Sequence, residues 1–333
     1  MLLLGACGEA ESPRPIGNPI EIQAPLGLPA VPFPDDNPPT RETIELGRKL
    51  FHETALSSDG TVSCATCHDP QLGFADGKTL AEGVAGKKGL RNSPTVLNAV
   101  YNETQFHDGR AASLEEQAEG PVTNPVEMAS SIRGVERALK ADPGYLALFE
   151  AAFGPGPVTF PKAAKSLAAF ERTLISGNSP FDRFRYGDDE KALSPEARRG
   201  WEVFRDPERG NCTVCHHVGA HTAPFTDHLF HNTGAGLDAE GRFVDFGRHV
   251  VTGEDSDLGA FKTPTLRNVA LTAPYMHDGS LPKLGDVVDF YALGGRANPG
   301  LDPDIKPLPL TAQDRSDLVA FLESLTGEPP PGR

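Results

Sequence analysis

The sequence predicts a mainly α-helical protein of two related domains, with long loops and little sheet. A segment at residues 40–51 recurs at 194–204, and both copies combine a capping residue, an early Glu and apolar residues at helical spacing. Each copy precedes a short loop and a Cys-x-x-Cys-His motif, and an internal repeat of this kind indicates two related units. Few stretches alternate between apolar and polar residues, and 35 glycines and 31 prolines among 333 residues predict many loops.

The chain is expected to divide into three parts. Residues 1–37 are rich in proline and predict a tether followed by an extended strap, not a domain. An N-terminal domain is expected over 38–188 and a C-terminal domain over 189–333. Besides the repeated segment, apolar periodicity predicts helices in both domains. They span residues 113–119, 132–140, 143–153, 161–176, 284–291 and 311–325.

The overall composition excludes several classes of protein. Hydrophobic residues make up 38% of the chain, which is adequate for globular cores. No stretch approaches the roughly 20 apolar residues that a membrane-spanning helix needs. The formal net charge of −15 disfavours nucleic acid and anionic membranes as partners, and it suits a basic soluble partner.

Cys7 stands apart from the other four cysteines. It follows a short apolar run that resembles a bacterial lipobox, in which the cysteine carries a lipid after signal cleavage. The basic residues that begin a signal peptide are missing and the apolar run is short, so a lone cysteine in a disordered tail is the alternative. The lipobox interpretation predicts a lipid anchor through Cys7.

The remaining cysteines form two Cys-x-x-Cys-His motifs. In such a motif the two thiols form thioethers with haem vinyl groups, and the adjacent His becomes the proximal iron ligand. A zinc ribbon needs much closer pairs, and a thioredoxin-like motif needs no His after the second Cys. The sequence therefore predicts two cytochrome-c-like haem domains with two covalently bound haem c groups, and a periplasmic location, since bacteria attach haem to this motif outside the cytoplasm. The haem-binding residues are Cys64, Cys67, His68, Cys212, Cys215 and His216.

The ligands available to the first haem are limited. Neither His nor Met occurs between His68 and His107, so this stretch offers no obvious distal ligand. Electron-transfer haems normally have both axial positions filled, whereas peroxide activation requires an open one. Gln117 and Glu127 lie in a stretch that could fold over a haem face, and a carboxylate there could move a proton between the two peroxide oxygens. The alternative for Glu127 is a solvated residue on a helix surface.

Several motifs accompany the two haem-binding sequences. Together they make the chain similar to the bacterial dihaem cytochrome c peroxidases and MauG-type enzymes, in the order of that family and over roughly residues 30–327. The motifs are Arg91-Asn-Ser-Pro-Thr95, Phe106-His-Asp-Gly-Arg110, Asn124-Pro-Val-Glu-Met128, Pro264-Thr-Leu-Arg-Asn268 and Ala273-Pro-Tyr-Met-His-Asp-Gly279.

The resemblance implies different roles for the two haems. His68 would be the proximal ligand of the N-terminal, peroxidatic haem, with Gln117 and Glu127 in its distal pocket and Glu127 as the acid/base. Pro121, between them, would occupy a further pocket position, as in MauG-type members. His216 would be the proximal ligand of the C-terminal haem, which stores electrons.

The resemblance also implies one calcium ion between the haems. Its ligands would be Asn92 and the backbone carbonyls of Thr272 and Pro274, together with waters. Hard oxygen ligands of this kind suit Ca²⁺. A homodimer is a further property that the resemblance suggests.

Two departures from the family pattern lie near the first haem. Reductively activated members carry a His sixteen residues beyond the first motif, which caps the resting iron, and that position here is Val84. We therefore expect no need for reductive uncapping. The inter-haem Trp of the family falls at His107. This residue either bridges the haems by hydrogen bonds or is a structural His between packed haem edges.

The third departure concerns the sixth ligand of the second haem. Many members use a Met twelve residues after the His-Asp-Gly motif, and that position here is Tyr291, as in MauG-type members. A tyrosinate ligand would lower the haem potential. Met276 is the alternative ligand, because a thioether is common in c-type cytochromes, and packing beside Tyr275 is the alternative role for Met276.

Three functions are compatible with these features. The first is a peroxidase that reduces hydrogen peroxide to water at the His68 haem, with electrons from a small cytochrome c or cupredoxin through the His216 haem. The second is a MauG-like enzyme that oxidises side chains of a partner protein, although the surface Trp that such enzymes use falls at Gly210. The third is a non-enzymatic dihaem electron carrier, which the missing distal ligand disfavours.

Overall fold

The computed structural model describes residues 13–330, and the predicted lipid anchor at Cys7 lies outside this range. Within it, strand is confined to isolated bridges and one sheet, in which β1 Phe230–His231 runs antiparallel to β2 Phe261–Lys262. The prediction of a mainly helical protein with little sheet is confirmed. The described helices are α1 Arg41–Phe51, α2 Cys64–Cys67, α3 Leu114–Gln117, α4 Glu119–Thr123, α5 Ile132–Ala141, α6 Pro143–Phe153, α7 Phe160–Glu171, α8 Pro180–Tyr186, α9 Pro195–Arg205, α10 His249–Thr252, α11 Leu284–Ala292 and α12 Ala312–Glu323.

The repeated segment forms a capped helix in both halves. At the start of α1, the Thr43 backbone N–H donates to the Thr40 hydroxyl at 3.2 Å, and at the start of α9 the Ala197 N–H donates to the Ser194 hydroxyl at 3.1 Å. Such caps satisfy backbone donors that have no partner inside the helix. Pro195 occupies the first turn of α9, where its missing N–H costs nothing.

Each half is built on one pair of crossing helices. In the first half α1 packs against α7, and in the second half α9 packs against α12. Both crossings are close because a glycine faces a backbone carbonyl. A Cβ added at Gly47 would lie 1.8 Å from the carbonyl oxygen of Ser166, and one added at Gly200 would lie 1.9 Å from that of Asp317. The repeat in the sequence therefore corresponds to one helix pair that the fold uses twice.

These close crossings lead to a prediction about stability. Substituting Gly47→Ala or Gly200→Ala would force the paired helices apart, so we expect each variant to lower the free energy of unfolding by about 1–3 kcal/mol. Gly285→Ala is the matched control, because Gly285 lies in α11 with no atom within 4 Å of the added Cβ. Urea unfolding followed by circular dichroism would measure the three variants, and unchanged stability in both crossing variants would contradict the packing described here.

Two hydrophobic clusters form the cores of the halves. The first runs from Leu46 to Leu174, and the second from Phe181 to Leu325. Phe181, on α8, packs its ring 5.4 Å from Phe225 and 5.5 Å from Phe321. The change from one cluster to the other thus falls a few residues before the predicted domain boundary at 188/189, because α8 packs with the second half.

Residues 13–37 run in extended form across both halves. On the first half, the Ile16 N–H donates to the Ala152 carbonyl at 3.0 Å. On the second half, the Gly27 carbonyl accepts from the Arg267 guanidinium at 2.7 Å and from the Ala223 N–H at 3.1 Å. The segment therefore joins the two halves in addition to the direct chain connection. Across residues 13–330, none of the helices has the length and hydropathy that a bilayer crossing requires.

Candidate active site

The first Cys-x-x-Cys-His motif forms a single helical turn. α2 carries both cysteines, and the His68 N–H donates to the Cys64 carbonyl at 3.0 Å. The Ser63 N–H donates to the Thr66 hydroxyl at 3.0 Å and fixes the start of the turn. The Nδ1 atom of His68 lies 3.1 Å from the Phe74 carbonyl, which makes Nδ1 the protonated nitrogen. The Nε2 atom is left with its lone pair, as an iron ligand requires.

The second motif repeats this geometry. Cys212–Val214 form a 3₁₀ turn, and the His216 N–H donates to the Cys212 carbonyl at 2.9 Å. The Nδ1 atom of His216 lies 2.8 Å from the Phe225 carbonyl, so here too Nε2 is free. Phe74 and Phe225 both adopt a left-handed backbone, with φ of 58° and 53°, which turns each carbonyl toward its His. Neither carbonyl partner was predicted from the sequence.

The residues present at both motifs fit a covalently bound haem. Burial lowers the pKa of His68 and of His216, which favours the neutral imidazole that binds iron. Burial raises the pKa of Cys64 and of Cys212 to about 12, and Cys212 faces an apolar cavity. In the second half this cavity is lined by the motif residues and by Tyr291 and Met276.

The residues predicted to lie on the distal side of the first haem are on and just after two short helices. Gln117 ends α3, Pro121 lies in α4, and Glu127 follows in the next turn. The Met128 N–H donates to the Pro121 carbonyl at 3.1 Å, which brings the turn with Glu127 back against α4. The Asn124 amide donates to Oε1 of Glu127 at 2.5 Å and holds the carboxylate.

Glu127 is half-buried and close to the first motif. Burial raises its pKa, while the Asn124 amide and the charge of Arg110 act in the opposite direction. Burial also raises the pKa of the Cys67 thiol to about 11, and the charges of Asp76 and Glu127 add to this. Glu127 is therefore a carboxylate with a raised pKa beside the first haem-binding motif. Its partner Asn124 was not predicted from the sequence, although it lies in the same motif as Glu127.

The loop at residues 83–86 supports the backbone of Glu127. The N–H of the buried Val84 donates to the Glu127 carbonyl at 2.8 Å. A Cβ added at Gly83 would lie 2.3 Å from the carbonyl oxygens of Val126 and Glu127. The segment in which the resemblance places a capping His thus serves here as a close-packed support for Glu127.

This contact leads to a prediction about activity. Gly83→Ala would push the turn of Glu127 away from the loop and so displace the predicted proton-transfer group, and we therefore expect turnover in the predicted peroxidase reaction to fall about tenfold. Gly89→Ala is the control from the same loop, because its added Cβ has no neighbour closer than 3.9 Å. Steady-state peroxide turnover of both variants is the measurement, and equal rates for Gly83→Ala and wild type would contradict the proposed support.

Two His-Asp-Gly motifs meet where the halves join. The Lys262 N–H donates to the His107 carbonyl at 2.8 Å, and the Asn92 N–H donates to the His277 carbonyl at 2.7 Å. The residue before each His has a left-handed φ, of 66° at Phe106 and 70° at Met276. The junction thus has approximate twofold symmetry, with equivalent residues contributed by the two halves.

His107 and His277 occupy equivalent positions with different side-chain contacts. Nε2 of His107 lies 3.1 Å from the Asn92 carbonyl, and burial lowers the pKa of His107 to about 4, so its ring is neutral and donates this bond. The His277 ring stacks on Phe261, with 3.6 Å between centroids. Both histidines line the cavity of the second motif. His277 lies in a motif that the sequence singles out, but no role was predicted for its side chain.

Two ion pairs of Arg91 stabilise the same junction. Arg91 of the first half donates to Asp108 at 2.6 Å and to Asp245 of the second half at 2.5 Å. Arg248 adds bonds of 2.9 Å to the Asp108 and Gly109 carbonyls. These contacts hold the motif that contains His107 against the second half, and no local sequence pattern pairs residues so far apart in the chain.

The symmetry of the junction relates the distal sides of the two sites. Pro121 follows His107 at the same spacing at which Tyr291 follows His277, and Met276 corresponds to Phe106. Tyr291 and Met276 both line the second cavity, and burial raises the pKa of Tyr291. The second half therefore has a potential oxygen ligand where the first half has a proline that cannot bind iron.

The predicted calcium ligands lie near the same junction. The Asn92 amide donates to the Lys78 carbonyl at 2.6 Å, which leaves its side-chain oxygen for another partner. Asn92 is also bonded through its N–H to His277, three residues beyond Pro274. Thr272 lies beside Gly73 of the first half.

Another group of potential metal ligands lies beside the second motif. Cys215, Asp227 and His231 place their ligand atoms within 4.8 Å of one another. The two nitrogens of His231 lie 2.9 Å from Asp227 and 2.7 Å from Asp302, so both are already engaged. Cys215 belongs to the haem-binding motif, where it is expected to form a thioether. We therefore interpret this group as a hydrogen-bonded cluster and not as an ion site.

Comparison with known proteins gives consistent matches. A family model described as di-haem cytochrome c peroxidase matches residues 41–190. The methylamine utilization protein MauG of Methylorubrum extorquens is 44% identical over 301 residues, which cover 90% of this chain and 82% of that protein. The cytochrome c551 peroxidase of Pseudomonas aeruginosa is 41% identical over 298 residues, covering 88% and 81%. A crystal structure of a MauG-like protein associated with microbial copper homeostasis superposes with a TM-score of 0.80 at 34% identity, covering 91% and 95%.

Proposed function

The chain belongs to the di-haem cytochrome c peroxidase family, which includes the MauG proteins, and we propose that it reduces hydrogen peroxide to water at its first haem site with electrons supplied through the second. It is an oxidoreductase that acts on peroxide and carries two haem c groups. Each turnover consumes one peroxide, two electrons and two protons and yields two waters.

The observation that carries this proposal is the half-buried Glu127 beside the first motif. When bound, the haem on His68 supplies the iron that takes up peroxide and the two-electron chemistry of O–O cleavage. Glu127 would accept a proton from one peroxide oxygen and deliver it to the other, which leaves as water. Asn124 orients the carboxylate through Oε1, so Oε2 is the oxygen that carries the proton. Gln117 and Pro121 complete the pocket.

The second site is suited to storing and relaying electrons. His216 and Tyr291 line one cavity, and we assign them as the two residues that would hold the iron of the second haem, in preference to Met276. An iron held by both residues would have no place for peroxide. His107 lies between the sites and is bonded to Lys262 and to Asn92, so we propose that electrons cross the junction through this hydrogen-bonded His.

Further properties follow from the same assignment. Asn92, with the carbonyls of Thr272 and Pro274, would hold one Ca²⁺ between the haems, since its free amide oxygen suits this ion. Haem attachment to the two motifs supports a periplasmic location, and the lipobox-like run before Cys7 supports a lipid anchor there. The net charge of −15 favours a small cytochrome c or cupredoxin with a basic surface as electron donor. A homodimer is the assembly that we propose by resemblance.

Turnover with a reduced small cytochrome c tests the proposed reaction. We expect steady oxidation of two donor molecules for each peroxide consumed, without prior reduction of the enzyme, because Val84 replaces the capping His. A burst of spectral change with peroxide, followed by no oxidation of cytochrome or cupredoxin donors, would contradict the peroxidase assignment.

A MauG-like oxidase of protein side chains is the second candidate. The position of Tyr291 in the second cavity favours it, because MauG-type members use Tyr there. The donor experiment separates the candidates, since an oxidase of this kind would leave donors reduced and would oxidise a partner protein instead.

A further inference from the structure

Lys262 is a buried lysine in the cavity of the second haem-binding motif. It lies in β2, its exposed fraction is 9%, and it lines the same cavity as His216 and Tyr291. Burial lowers its pKa to about 8. An ammonium group in such a position is costly unless an anion and hydrogen-bond acceptors surround it.

The described residues supply few partners for this ammonium. Nζ has three donors, and one of them is bonded to the Thr104 carbonyl. Asp108 is the carboxylate whose charge acts on Lys262, but it is already bonded to Arg91 at 2.6 Å and to Arg110 at 3.0 Å. An anion that faces the cavity would complete the environment of Lys262.

Two polar atoms near Lys262 also lack hydrogen-bond partners. Within residues 13–330, the Thr104 hydroxyl and Nδ1 of His228 are buried without a hydrogen-bond partner. His228 is close enough to Lys262 for the lysine charge to act on it, in addition to the burial that lowers the pKa of this His. These groups are clustered around the one lysine, and buried polar groups normally have partners.

The symmetry of the junction points to the identity of the missing partner. Lys262 and Asn92 are equivalent residues, because each donates its N–H to the carbonyl of the opposite His-Asp-Gly motif. Each half therefore places a potential cation, an ammonium or the proposed calcium, beside the haem sites. Haem c brings two propionate carboxylates into its cavity.

We propose that Lys262 pairs with a propionate of the haem on His216 and raises the reduction potential of that haem. The inference rests on the proposed placement of the second haem in this cavity. A fixed positive charge disfavours ferric iron relative to ferrous iron, because the ferric form carries one more positive charge. Lys262 is in this account a positioning residue that acts through the haem and touches no substrate.

Spectroelectrochemical titration of the holoenzyme tests the proposal. Lys262→Met should lower the equilibrium constant for reduction of the second haem about tenfold. This corresponds to a reduction potential lower by about 59 mV for one electron. The first haem should shift less. Lys262→Gln provides a second neutral variant in case the first does not fold, and haem content is measured for both.

Two control variants distinguish the effect of the positive charge from the effect of its position. Lys262→Arg retains the charge, so the equilibrium constant for reduction of the second haem should stay within about twofold of wild type. Lys306→Met should also stay within about twofold, because Lys306 lines the same cavity from an exposed position where water screens its charge. An unshifted second haem in a neutral variant with both haems attached would overturn the proposal, as would equal shifts for Arg and Met at residue 262.

The outcome is independent of turnover. A protein that shows the expected shift but no peroxidase activity would overturn the proposed function and leave the role of Lys262 intact. Full peroxidase activity with unshifted potentials would do the reverse.

Discussion

Replacing Glu127 with Gln is expected to reduce peroxide turnover by about 10²–10⁴-fold, the range that general acid–base groups contribute. The amide keeps the shape of the side chain and the contact with Asn124, but it has no site for the transferred proton. Both haems should remain attached with unchanged resting spectra, because Glu127 is neither a thioether nor an iron ligand in this account. Glu119→Gln is the matched control, since Glu119 is an exposed glutamate on the neighbouring helix α4.

The same carboxylate sets an expected pH dependence. Burial raises the pKa of Glu127 above its ordinary value of 4.5. The base form is needed to accept the first proton, so turnover should fall as the pH decreases through this raised pKa. The acidic limb should be absent from the residual activity of Glu127→Gln. Wild-type activity in this variant, or an unchanged acidic limb, would exclude Glu127 as the proton carrier.

Replacing Tyr291 with Phe is expected to change both the coordination and the reduction potential of the second haem. Loss of an anionic oxygen ligand should convert a six-coordinate low-spin haem into a five-coordinate one. It should also change the equilibrium constant for reduction by more than about a hundredfold in favour of the ferrous form. Electronic absorption, electron paramagnetic resonance and potentiometric titration of the holoenzyme measure both changes. The first haem should keep its spectrum.

Met276→Leu is the companion of that variant. Leu matches Met closely in volume but has no sulfur, and Met276 corresponds by symmetry to Phe106, which has no ligand atom in its side chain. We therefore expect Met276→Leu to leave the second haem low-spin. The reverse pattern, with the ligand lost in Met276→Leu and kept in Tyr291→Phe, would assign the sulfur as sixth ligand.

Features that depend on nearby residues could be predicted from the sequence. The haem-binding turns need only the spacing between Cys64 and His68, and between Cys212 and His216. The repeated helix could be located for the same reason, since its caps and apolar periodicity lie within the segment. The short α8 was missed because its burial depends on Phe321, far along the chain.

Features that depend on distant parts of the chain could not be predicted. Local backbone conformation was hidden as well: the Phe74 and Phe225 carbonyls are only six and nine residues from the proximal histidines, but they reach them because both phenylalanines adopt a left-handed backbone. The contact between Val84 and Glu127 joins segments that no periodicity connects. The sequence indicated which residue types carry the chemistry, and the fold determined which groups orient them.

Electron paramagnetic resonance of the resting ferric enzyme, before and after peroxide, tests the unequal roles of the two sites most directly. The account predicts one high-spin haem, held by His68, and one low-spin haem, held by His216 and Tyr291, with a rapid loss of the high-spin signal when peroxide is added without prior reduction. Two low-spin haems that do not respond to peroxide would contradict it.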